Sequence, residues 1–128
     1  MSLQTPLAKV KGLGSAKEGT HHWWQQRLSA IALVPLSLWF IYSIISMVGA
    51  DYMTVVYWMR QPYVSVLLVF FILSLFYHAV LGLQVVIEDY IHSEWQKISC
   101  LVLVKFLAVI GALASVLSIL NVFFGFNA

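Results

Sequence analysis

Residues 61–87 read Gln-Pro-Tyr-Val-Ser-Val-Leu-Leu-Val-Phe-Phe-Ile-Leu-Ser-Leu-Phe-Tyr-His-Ala-Val-Leu-Gly-Leu-Gln-Val-Val-Ile, with no Asp, Glu, Lys or Arg among them. As a helix, this run is long enough to cross the roughly 30 Å of hydrocarbon in a bilayer. Residues 28–50 and 106–128 also lack all four charged types, and each is long enough to span in the same way. Extended back past Lys105, the last apolar segment starts near Ile98. The whole chain is 62% hydrophobic and only 9% charged, with a mean hydropathy of +0.91, where a soluble domain carries about a quarter charged residues. The sequence predicts an all-α integral membrane protein with three transmembrane helices, at about 20–49, 62–88 and 97–124. They form one anchor domain over 20–128, behind a basic tail over 1–19.

Within the deciding run, His78 is the one side chain able to change charge near neutral pH. Counted back from Glu88, it lies about 15 Å inside the rim, where an imidazole is costly unless something uses it. Asp89 lies about 16 Å further along and within about 20° of it around the axis, with Gly82 and Val85 between them. Two readings of His78 stand side by side. It is a neutral imidazole bonded to a neighbouring carbonyl or to Ser74, or it is an axial ligand of a haem iron. On the second reading, the missing side chain at Gly82 leaves room for a flat macrocycle. No other histidine is predicted within a span, so a second histidine ligand would come from another polypeptide.

Ahead of the first span stands Gly19-Thr-His-His-Trp-Trp-Gln-Gln-Arg27. Thr20 suits a helix cap, and Trp23 and Trp24 suit the headgroup layer. Pro35 should bend the first helix or loosen its hydrogen-bond ladder. Residues 50–61 read as a short interfacial loop with an aromatic belt, and Glu88 to Lys97 as a second loop. Gly111, Ala114, Ser115 and Ser118 are small residues at three-to-four spacing, which lets a neighbouring helix approach closely. Lys105, about two turns inside the last span, has the reach to snorkel towards Lys97.

Lys9, Lys11, Lys17 and Arg27 load the N-terminal side with positive charge, and Lys97 and Lys105 stand near the start of the last span. The first loop holds only Arg60 and the C-terminal end holds no basic residue. The positive-inside rule therefore puts the N-terminus and the 88–97 loop on the cytoplasmic or matrix side. His21, His22 and Arg27 then share a membrane face with Asp89 and Tyr90. The first three serve either as a positive-inside anchor or as partners for haem propionates, whose carboxylates match arginine's fork of donors. Asp89 and Tyr90 are either interfacial punctuation or a site for a polar head on an apolar tail. A phenolic hydroxyl donates to a quinone carbonyl, and a carboxylate orients Arg27 or assists proton uptake. Ser29 is a weaker contributor to that site.

The net charge of +2 makes no case for nucleic acid, and a single cysteine, Cys100, excludes an intrachain disulfide or a cysteine-based cluster. With no apolar core in residues 1–20, no cleaved signal peptide is expected. Phosphate-binding glycine loops, H-E-x-x-H and nucleophile-elbow motifs do not occur.

Two motifs in order, Gly19-Thr-His-His-Trp-Trp-Gln-Gln-Arg-Leu-Ser-Ala30 and the H-A-x-x-G-x-x-x-x-x-x-D-Y pattern from His78 to Tyr90, resemble the hydrophobic membrane-anchor family of succinate dehydrogenase (complex II). The Gly12-Leu-Gly-Ser-Ala-Lys17 lead-in looks like the alphaproteobacterial branch. The resemblance implies a second membrane anchor subunit, an iron–sulfur subunit and a flavoprotein subunit as partners in a bacterial inner membrane. A mitochondrial inner membrane is the less favoured location. It also implies a shared haem b, with His78 as this chain's iron ligand and the other ligand from the second anchor. Arg27 would lie by the propionates with His22 preferred over His21, and Tyr90 with Asp89 would serve ubiquinone. The chain would have no succinate site and be inactive alone. A fumarate reductase anchor is the runner-up. The other rivals are a haem-free structural anchor and a small proton-coupled transporter using His78 and Glu88. Against the transporter, Glu88 lies at the rim and no inverted repeat is present.

Overall fold

A computed structural model describes residues 5–10 and 19–125. The expected basic tail therefore lies mostly outside the described residues. What is described is helical throughout: α1 (Pro6–Val10), α2 (Gly19–Ser46), α3 (Tyr52–Met59), α4 (Pro62–Tyr90) and α5 (Glu94–Phe124). Helices α2, α4 and α5 are 28, 29 and 31 residues long and apolar enough to cross a membrane. The chain is an integral membrane protein, with three such helices among its described residues.

The helix ends refine the expected boundaries. Thr20 lies inside α2 rather than capping it, because the helix already includes Gly19. At its other end α2 stops at Ser46, three residues short of expectation. A turn follows it to Gly49, whose φ of 83° lies in the left-handed region open to glycine. Helix α2 continues through Pro35, even though the proline cannot donate to the carbonyl of Ile31. Only Ile91–Ser93 separates α4 from α5, so Glu88, Asp89 and Tyr90 belong to the last turn of α4 rather than to a loop. Helix α5 begins at Glu94, whose carboxylate suits the positive end of a helix dipole.

The expected loop over 50–61 is corrected to helix α3. Asp51 caps it by accepting from the Thr54 N–H at 3.3 Å. Its Thr, Val, Tyr and Trp residues are weak helix formers in water, which hid the element. Beside a membrane an unpaired backbone is costly, and that favours a closed hydrogen-bond ladder.

Helix α4 packs against both α2 and α5, which do not pack on each other among the described residues. The buried apolar core of Val64, Leu68 and Ile119 sits at the α3 end, with Trp39, Phe40 and Trp58 packed around it. The Trp39 ring stacks on Trp58 at 6.0 Å, and Phe40 on Phe71 at 5.0 Å. Large apolar side chains such as Ile31, Leu38, Phe70, Phe106 and Leu117 face outward. In a chain of spanning helices, that surface meets lipid or partner helices rather than water.

Candidate functional site

Helices α2 and α4 meet through a stripe of polar and small residues. On α2 it runs through His22, Gln26 and Ser29, at the four- and three-residue steps that keep side chains on one face. On α4 it comprises His78 and Gly82. Ser29 is buried, at 8% exposure. Its Oγ lies 2.9 Å from His78 Nδ1 and 3.0 Å from the carbonyl oxygen of Gln26, to which it donates. His78 itself is half-buried, and its Nε2 has no hydrogen-bond partner among the described residues. The partners anticipated for a bonded imidazole were a neighbouring carbonyl or Ser74. Instead, Ser74 lines a groove of about 660 Å³ between α4 and α5, together with Tyr77, Val80 and Lys105.

Gly82 faces α2, and an added Cβ would lie 3.6 Å from the Gln26 amide nitrogen. The space at Gly82 thus adjoins the Gln26 side chain. One turn back, His22 is half-buried. Its Nε2 and the Gln26 Oε1 are both sealed from solvent without a hydrogen-bond partner. Buried polar atoms of this kind ordinarily find partners. His21 points outward and bonds to Gln25 Nε2 at 2.9 Å. The tandem histidines therefore divide into an inward one and an outward one.

Arg27 is exposed, with its guanidinium 5.2 Å from the centre of the Trp23 ring. It forms no ion pair with Asp89; the one salt bridge among the described residues joins Lys97 to Glu94 at 3.7 Å. Asp89 and Tyr90 are exposed on the last turn of α4, Tyr90 at 79%. Glu88 accepts from Gln84 at 2.8 Å. The structure thus joins His78 to the α2 stripe and leaves Arg27, Asp89 and Tyr90 facing outward near the membrane surface. Gln26 was not singled out from the sequence, and Ser29, expected as a weaker contributor beside Asp89 and Tyr90, lies against His78. The available signal was their four- and seven-residue spacing from His22, which places all three on one face of the helix.

The family model for the succinate dehydrogenase/fumarate reductase transmembrane subunit matches residues 1–112. The chain belongs to this family. It is 34% identical over 113 residues to the succinate dehydrogenase hydrophobic membrane anchor subunit of Rickettsia bellii, covering 88% of this chain and 90% of the relative. The subunit of the same name from Rickettsia conorii is 33% identical over 114 residues, with the same coverage. The one from Paracoccus denitrificans is 30% identical over 93 residues, covering 73% of this chain and 72% of the relative. The three long apolar helices of this chain agree with membership of a transmembrane-subunit family.

Proposed function

We propose that this anchor subunit serves a succinate:ubiquinone oxidoreductase by holding haem b and forming part of the ubiquinone site. The observation that carries the reading is His78. Inside a span of uncharged residues, its imidazole is held by one ring nitrogen while the other has no partner among the described residues. A neutral imidazole nitrogen is the donor that haem iron takes. The other nitrogen ligand would come from the second membrane anchor of the complex. When bound, haem b supplies a one-electron store beside the quinone.

Around that centre the chain's own residues bind, orient and move protons. His22 offers a sealed ring nitrogen without a partner, which suits a propionate reaching the α2 stripe. Arg27 adds a planar fork of donors for carboxylates, and His21 adds a further donor on the outer side. The Tyr90 hydroxyl donates to a ubiquinone carbonyl, and its exposure leaves it open to a ligand from outside the chain. Asp89 relays protons from the aqueous side. Reduction to the quinol takes two protons and two electrons. The electrons arrive from the iron–sulfur subunit after the flavoprotein subunit oxidises succinate; this chain supplies no succinate site. Positive charge at the N-terminal side orients this end of the chain to the cytoplasmic face of a bacterial inner membrane.

The test is the reduced-minus-oxidised visible spectrum of the purified complex, for wild type and His78→Ala. Haem bands in wild type and their loss in the variant are expected. Wild-type material with no haem bands and no flavoprotein companion would contradict the function. Bands retained in His78→Ala would remove the ligand assignment alone.

A further inference from the structure

We propose that Ser29 is the positioning residue of His78, fixing which ring nitrogen carries the proton and how strongly the other binds iron. The inference rests on the reading of His78 as the haem ligand. It follows from the one proton on a hydroxyl. Ser29 Oγ stands 3.0 Å from the Gln26 carbonyl oxygen, which can only accept. If the Ser29 proton pointed elsewhere, two oxygen lone pairs would oppose each other at that distance. The hydroxyl therefore donates to Gln26 and can only accept from His78 Nδ1, 2.9 Å away. Nδ1 carries the proton, and the lone pair of the neutral ring falls on Nε2, the nitrogen without a partner.

Two consequences follow for a metal on Nε2. The ring plane is fixed from α2, because Ser29 is buried and its own position is tied to the helix backbone one turn back. A hydrogen bond from Nδ1–H also makes Nε2 a stronger donor, as the outer partners of ligating histidines do generally. A stronger donor favours ferric over ferrous iron, so Ser29 holds the haem potential down. The chain from His78 through Ser29 to Gln26 also joins α4 to α2, so the ligand is set by a helix other than its own.

The experiment uses the whole purified complex carrying Ser29→Ala, Ser29→Thr or His78→Ala. It reads haem content, haem midpoint potential by spectroelectrochemical titration and the low-spin ferric electron-spin resonance signal. Succinate-to-dye activity confirms assembly. Ser29→Ala should raise the midpoint potential and shift the low-spin signal, while Ser29→Thr, which keeps the hydroxyl, should match wild type in both. Haem lost in Ser29→Ala and restored in Ser29→Thr would support the same role. Should the alanine variant fail to assemble, Ser29→Cys keeps the volume with a weak acceptor, and the same upward shift is expected. An unchanged potential and signal in the assembled alanine or cysteine variant would overturn the proposal, as would equal damage in Ser29→Thr. Wild-type bands in His78→Ala would instead remove the underlying ligand reading, a separately visible failure.

Discussion

Phe76 of α4 closes on Gly111 of α5 so tightly that a Cβ at 111 would lie 2.8 Å from the ring's Cε1 and Cζ. The small-residue spacing in the last span thus has a specific occupant, an aromatic ring lying over a bare helix backbone. Overpacking of this kind costs about 1–3 kcal/mol, against about 1 kcal/mol gained by alanine over glycine in a helix. Gly111→Ala should therefore lose about 1 kcal/mol net, seen as faster thermal inactivation of the detergent-solubilised complex. In a Phe76→Leu background the steric conflict is relieved, and the same substitution should become neutral or stabilising.

At the C-terminal end of α5, Arg60 Nε donates to the Val122 carbonyl at 3.0 Å. This ties the turn between α3 and α4 to one of the last carbonyls of α5, where a cation also meets the negative end of the helix dipole. Arg60 is half-buried, so screening leaves part of the interaction in place. Arg60→Ala should cost about 1–2 kcal/mol and speed hydrogen exchange in the last turn of α5. Arg60→Lys keeps the charge without the fixed donor geometry and should recover only part of the protection.

The spans were legible because each is a long uncharged run, a signal that needs no tertiary information. Asp89 and His78 were placed on one face by helix phase alone, and α4 does continue through Tyr90. What local sequence could not carry was the contact between Ser29 and His78, which are 49 residues apart. The sequence offered a neighbouring carbonyl or Ser74 for the imidazole, and only the packing of α2 on α4 brings Ser29 to it instead. Of the tandem histidines, His22 was preferred on the resemblance alone, and it is the α2 phase that turns His22 in with Gln26 and His21 out with Gln25. Helix α3 was hidden for another reason: aromatic and β-branched residues read as a belt in a loop, and the Asp51 cap was the overlooked cue.

Tyr90 is the residue on which the quinone reading is most directly exposed to test. It is 79% exposed, so removing its hydroxyl leaves the packing of this chain unchanged. A hydrogen bond to a carbonyl contributes about 0.5–1.5 kcal/mol net, which corresponds to a loss of about two- to tenfold in rate. Tyr90→Phe should lower succinate-to-quinone activity by that factor while succinate-to-dye transfer stays at wild type. Equal loss of both activities would place the effect upstream of the quinone and contradict the assignment.

Asp51 gives the fold a local dependence on acid. Its carboxylate accepts from both the backbone N–H and the hydroxyl of Thr54, and the hydroxyl is the main reason its pKa lies below the ordinary value. A lowered folded-state pKa means that the cap contributes fully above the ordinary carboxylate range. That contribution is lost as pH falls through the depressed value. Hydrogen exchange at Thr54 and Val55, corrected for intrinsic rates, should therefore show protection at neutral pH that disappears in acid. Asp51→Asn caps without titrating, so its protection should persist through the same acid range. Asp51→Ala removes the acceptor and should leave the first turn of α3 unprotected at every pH. Persistence of wild-type protection in the alanine variant would mean that packing against α4 and α5, rather than the cap, holds this turn.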